Sequence, residues 1–104
     1  MSFYEPETLD DFKEFINENS RVVVNVRFPG SSTTNELDYL LNRIYKRYPS
    51  IQFAQVNLER MHSFSSEYDI GMPVVMHFKD AEKIYESGTT DAGALEHKIQ
   101  DLAA

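Results

Sequence analysis

The segment that most restricts the fold is VVVNVRF, residues 22–28. Four of its seven positions are valine, and such β-branched side chains pack better on a pleated sheet than in a helix. A strand with one wet face alternates apolar and polar residues, whereas this run offers almost nothing to water. It reads as a central strand buried on both faces, and that requires helices on both sides of a sheet. Residues 34–48 supply the clearest one: Leu37, Leu40, Leu41, Ile44, Tyr45 and Tyr48 recur at helical spacing, with charges between them, until Pro49 stops the segment.

The remaining elements follow the same logic. Thr8, with Asp11 three residues on, opens an earlier helix whose apolar stripe is Leu9, Phe12, Phe15 and Ile16, ending near Asn19. IQFAQVNL (51–58) is a second strand, and 60–68 a short helix with Met61, Phe64 and Tyr68 inward. PVVMHFK and EKIYES flank a tight KDAE link, the pattern of an antiparallel hairpin. Pro73 lacks a ladder donor and fits only at the start of its strand. A last helix over 90–102 docks Leu95, Ile99 and Leu102. With a short N-terminal strand in front, the order is β, α, β, α, β, α, β, β, α. The sheet is expected to be mostly parallel at first, with an antiparallel pair at the end. At 104 residues, without linker or repeat, the chain reads as one domain, 1–104.

Composition narrows function by exclusion. The chain has no cysteine, so disulfides, thiol redox chemistry, cysteine nucleophiles and thiolate metal ligands are all excluded. Seventeen acids against ten bases give a net charge of -7, which argues against a nucleic-acid partner. The acids of YEPETLDDFKEFINE interleave with apolar residues and form a helix face, not a tail. No segment reaches membrane-spanning length, and MSFYEPETLDD resembles no signal peptide, so no membrane partner and a cytoplasmic location are the expectation. His62, His77 and His97 share no metal-ligand spacing and fall in different elements. Each reads as structural or exposed, and no metal or cofactor is expected. Asp10, Asp11 and Glu59 form no paired-carboxylate site.

RFPGSSTTNEL (27–37) holds four successive hydroxyls, Ser31, Ser32, Thr33 and Thr34, ahead of the best helix. One reading is a turn and cap, with Thr33 and Glu36 at capping-box spacing. Another is an anion site at the helix start, with Arg27 supplying charge if it points toward the loop. The glycine spacing and lysine of a P-loop are missing. A serine nucleophile would need a base within reach, and no histidine obviously provides one.

With these landmarks in order, the chain resembles thioredoxin over nearly its whole length. VVVNVRFPGSSTTNELDYLLNRIYKRY lies without gaps over the segment carrying that family's active site. Ser31 and Thr34 fall at the two cysteines of Cys-Gly-Pro-Cys, with Ser32 and Thr33 between them. FAQVNLE resembles the strand ending in Asn-x-Asp, and YDIGMPVVMHFKDAEKIYESG the Tyr-x-Ile … Pro-Thr-x-x-x-Phe-Lys-x-Gly-Glu stretch. That register sets Pro73 at the family's cis-proline and Gly88 at the glycine ending the last strand. The resemblance implies an α/β fold, a thioredoxin-like three-layer sandwich with a central mixed β-sheet and helices on both faces.

The departures from the family point one way. Asn25 stands at the buried Asp that assists proton transfer, Gln55 at the nearby lysine, and Arg27 and Gly30 at the two tryptophans beside the motif. A neutral amide can still hydrogen-bond but cannot titrate. The expectation is therefore a redox-inactive protein-binding, adaptor or chaperone-like module, not an enzyme of thiol–disulfide exchange. Its candidate surface is Arg27, Phe28, Pro29, Gly30, Ser31, Ser32, Thr33 and Thr34 opposite Met72 and Pro73. A protein partner or an extended peptide segment would lie across it, with backbone groups beside a cis Pro73 free to pair. The plainer reading is that Phe28 and Met72 only cover the sheet's end. Two alternatives stay open: a small anion- or phosphate-binding protein or enzyme using the hydroxyl-rich helix start, and a structural subunit of a larger assembly.

Overall fold

The apolar run at 22–28 does become the sheet's centre. The structure is a computed structural model and describes residues 3–104. Its four-stranded sheet has the order β2-β1-β3-β4, with β1 Arg21–Arg27, β2 Gln52–Asn57, β3 Val74–Lys79 and β4 Glu82–Ser87. β1 is parallel to β2, with Val24 beside Ala54, and antiparallel to β3, with Val24 beside Met76. β3 and β4 form the expected hairpin, turning through Asp80 and Ala81, both at positive φ (51° and 69°). Positive φ at both central residues is the mark of the type I′ turn that matches strand twist. The expected N-terminal strand is reduced to one parallel bridge, Tyr4 to Ala54, held by Tyr4 N to Phe53 O (3.1 Å) and Gln55 N to Tyr4 O (2.8 Å).

Alternation along β1 serves two cores. Val22, Val24 and Val26 pack with Phe12, Ile16, Phe64, Met76 and Phe78 under helices α1 (Leu9–Glu18) and α3 (His62–Tyr68). Val23 points the other way, to Leu37, Leu41 and Ile44 of α2 (Ser32–Ile44) and Leu95 and Ile99 of α4 (Ala92–Ala103). Each fully buried valine contributes about 1.5–3 kcal/mol, which is why an unbroken apolar strand stabilises only a sheet covered twice.

Helix ends are set by side chains. Thr8 caps α1 as expected, its Oγ1 accepting from Asp11 N at 3.0 Å. Asp91 caps α4 in the same way. The last turn expected of the 34–48 helix tightens into a 3₁₀ turn over Tyr45–Arg47 before Pro49. The 60–68 helix begins later, at His62, because Asn57 O accepts from Arg60 N and Met61 N and closes a turn first.

Candidate functional site

The loops that carry the candidate residues meet at one end of the sheet. Val26 of β1 pairs with Val74 of β3, and extending that antiparallel register by two residues sets Phe28 opposite Met72. After Arg27 the chain turns sharply: Ser31 N donates to Phe28 O at 3.1 Å around Pro29 and Gly30, and Gly30 has φ of +91°. Proline second and a positive-φ glycine third are what a type II turn demands. The turn delivers the chain into α2 at Ser31, two residues before the expected cap.

Ser31, not Thr33, is the cap. Its Oγ accepts from Thr33 N (3.2 Å) and Thr34 N (3.4 Å), satisfying amides that the helix start leaves unpaired. The capping box anticipated at Thr33 and Glu36 does not form, since Thr33 already lies inside the helix. Thr34 is fully buried and its Oγ1 accepts from Phe28 N at 2.9 Å, tying the first turn of α2 back to the end of β1. Ser32 is exposed and Thr33 half-buried. The Ser31 and Thr34 hydroxyls thus have structural employment as acceptors.

Arg27 does not point its charge at this loop. Its Nε lies 3.0 Å from Asp38 Oδ1 and its Nη2 2.9 Å from Asp38 Oδ2, a two-pronged ion pair with the second turn of α2. The hydrogen bond to Asp38 raises the guanidinium further above its ordinary pKa, although partial burial opposes it. Asn25, two residues earlier and on the same face, donates from Nδ2 to Asp38 Oδ1 at 2.7 Å, while its buried Oδ1 has no partner among the described residues. Gln55 turns aside to Glu5, at 3.1 Å. Asp38 is the residue that sequence reasoning missed. The signal was present: Asn25 and Arg27 alternate onto one face of an otherwise apolar strand, and an acid one helical turn beyond Thr34 can meet both.

Across the gap, the peptide preceding Pro73 is trans, where the resemblance implied cis. Trans is the intrinsically preferred isomer even before proline. The side chains remain informative: Phe28 is 40% and Met72 63% exposed, an apolar pair in water at the mouth of the fold. Gly88 lies at the same end, close enough that a Cβ there would meet Pro73 O at 3.4 Å.

The histidines stand apart from this loop, as their elements required. His62 is exposed at the start of α3, with a ring nitrogen 3.1 Å from Glu59 O. His97 is exposed on α4, 3.9 Å from Asp101. His77 is buried in β3. No hydroxyl of the 31–34 run has a histidine among its hydrogen-bond partners in the described residues.

No protein-family model and no curated protein matches the sequence. Solved structures do. Mitochondrial thioredoxin 3 from Saccharomyces cerevisiae, in its oxidised form, superimposes with a TM-score of 0.88 at 21% identity, over 96% of this chain and 95% of that one. Thioredoxin from Fasciola hepatica gives 0.88 at 18% identity, over 96% and 99%. A designed protein gives 0.86 at 21% identity, over the full length of both chains. At such identities the likeness speaks to architecture alone.

Proposed function

We propose that this chain, a thioredoxin-like fold without cysteine, is a protein-binding module of adaptor or chaperone-like type. Thiol–disulfide exchange is closed to it, because serine and threonine hydroxyls are not ionised near neutrality and form no disulfide. The observation that carries the reading is the apolar pair at the sheet's end. Phe28 and Met72 are large and exposed, and lie just beyond the facing ends of the paired strands β1 and β3. The Pro29–Gly30 turn and the Thr34 hydroxyl hold the Phe28 backbone in place, so little ordering is left to be done on binding. An extended or exposed client segment would lay apolar side chains over the phenyl ring and the adaptable thioether, driven by desolvation.

Nothing in the geometry favours the anion reading over this one. The Arg27 guanidinium is neutralised by Asp38, and the Thr33 and Thr34 amides that an anion at the helix start would need already donate to Ser31 Oγ.

The test is affinity capture from native extract, comparing wild type with the double variant Phe28→Ala/Met72→Ala. Loss of two central apolar contacts should weaken retention of a captured partner by about 30-fold or more. Thermal unfolding should be nearly unchanged, since both side chains sit on the surface. Equal recovery by a folded double variant would rule this surface out.

A further inference from the structure

A buried imidazole at the opposite end of the sheet, its ring 4.9 Å from that of Tyr85, keeps an unpaired nitrogen. His77 is 2% exposed, and its Nε2 has no hydrogen-bond partner among the described residues. A dry, unpaired polar atom is destabilising, so the neighbourhood of that nitrogen is informative. Strand alternation sets its direction. Val74, Met76 and Phe78 pack beneath α1 and α3, whereas Val75 joins the α2–α4 core, so His77 rises toward α4. There it lines a cleft of about 190 Å³ between the β3–β4 hairpin and α4.

Three features make this cleft more than a surface dent. The first is a β-bulge: His77 pairs with Tyr85 but Phe78 with Lys83, leaving Ile84 as an extra residue. Ile84 and Tyr85, sequence neighbours that a regular strand would send to opposite faces, both line the cleft. The second is charge. Lys79 of β3 and Lys98 of α4 stand over the cleft against one acid, Asp101, in a chain whose net charge is -7. Arg21, at the same end, already donates to backbone oxygens at and just past the end of α4, Leu102 O at 2.8 Å and Ala104 O at 3.4 Å. The third is the wall: Ile84, Leu102 and the Tyr85 ring, with Lys98 Nζ 5.2 Å from that ring's centroid.

We propose that this cleft binds a small aromatic carboxylate, its carboxylate accepting from His77 Nε2–H and pairing with Lys98 and Lys79, its ring lying against Tyr85, Ile84 and Leu102. The volume equals that of about six waters, which suits a ligand of one ring and one acid group. Burial, and secondarily the Lys98 charge, lowers the His77 pKa to about 4, so at neutral pH the imidazole is neutral and carries a single N–H. A bound carboxylate would satisfy that donor and favour its protonation. This site lies at the other end of the sheet from the Phe28–Met72 surface and stands independently of it.

Benzoate is the probe, titrated into the isotopically labelled full chain at neutral pH and followed by NMR. Saturable shifts are expected at His77, Tyr85 and Lys98, with a dissociation constant on the order of 1 mM. Acetate, which lacks the ring, and benzyl alcohol, which lacks the charge, should each bind at least about tenfold more weakly. The His77 pKa should rise in saturating benzoate. His77→Leu should abolish the response, and Lys98→Gln, an exposed change that leaves the fold alone, should weaken it by about tenfold. Shifts that fail to saturate, a response unchanged in both variants, or equal binding of inorganic phosphate would overturn the proposal.

Discussion

The two ends of the β1–β3 pair are made of similar materials and leave opposite remainders. At the Val26–Val74 end most of the polar groups are engaged: Ser31 caps α2, Thr34 ties down the Phe28 amide, and Arg27 and Asn25 converge on Asp38, with only the Asn25 Oδ1 left buried and unpaired among the described residues and no cleft beside it. What is left facing water there is apolar, Phe28 and Met72. At the Arg21–Lys79 end Ile84 is also exposed, and beside it lie the unpaired Nε2 of His77 and a small cationic cleft. Residue type alone would have pointed to the hydroxyl run as the chemical end. Unused bonding capacity beside a cleft points to the His77 end, because a group already paired inside the protein has little to offer a ligand.

The contrast can be broken most sharply with pH. An unfolded histidine titrates near 6.5 and folded His77 at about 4, so between those values the unfolded chain binds more protons. The contribution is fully present above pH 6.5 and is lost as pH falls toward 4, roughly 3 kcal/mol across the window. Urea unfolding of wild type and His77→Leu at several pH values isolates this part from the carboxylates. The variant should lack the added acid sensitivity, and parallel pH profiles would show that His77 carries no such burden.

Thr34→Val tests the other end. Valine keeps the shape and removes the acceptor, leaving the Phe28 amide unpaired, for a loss of about 2 kcal/mol by urea unfolding. Thr34→Ser should recover much of it, and neither change should alter the benzoate response. Smaller still is Ser31→Ala, about 1 kcal/mol for a lost cap. If both hydroxyl variants kept full stability yet lost ligand or partner binding, the idea that these oxygens are structurally spent would fail.

Much of the architecture was legible because it rests on local rules. The 22–28 run, the Leu37–Ile44 periodicity and the KDAE hairpin are short-range signals of strand, helix and turn, and the structure keeps all three. The candidate site was legible as a place, the end of the sheet where Phe28 and Met72 meet, but not as a set of contacts. Thr33 matched the capping-box pattern while Ser31 became the cap, since the tight Pro29–Gly30 turn brings the chain into the helix sooner than the periodicity suggests. Likewise the sequence leaves open whether Arg27 points toward the loop, and Asp38 draws it away.

By itself, then, the sequence determined the kinds and order of the elements and the absence of thiol chemistry. Backbone sterics, side-chain period and composition act within a few residues or need no geometry at all. Only the tertiary structure decided which polar groups were satisfied: Asp38 beneath Arg27 and Asn25, the trans bond at Pro73, and the orphaned nitrogen of His77 under Lys98. Those outcomes depend on neighbours brought together from distant parts of the chain. A hydrogen bond is decided by fractions of an ångström, which no local pattern encodes.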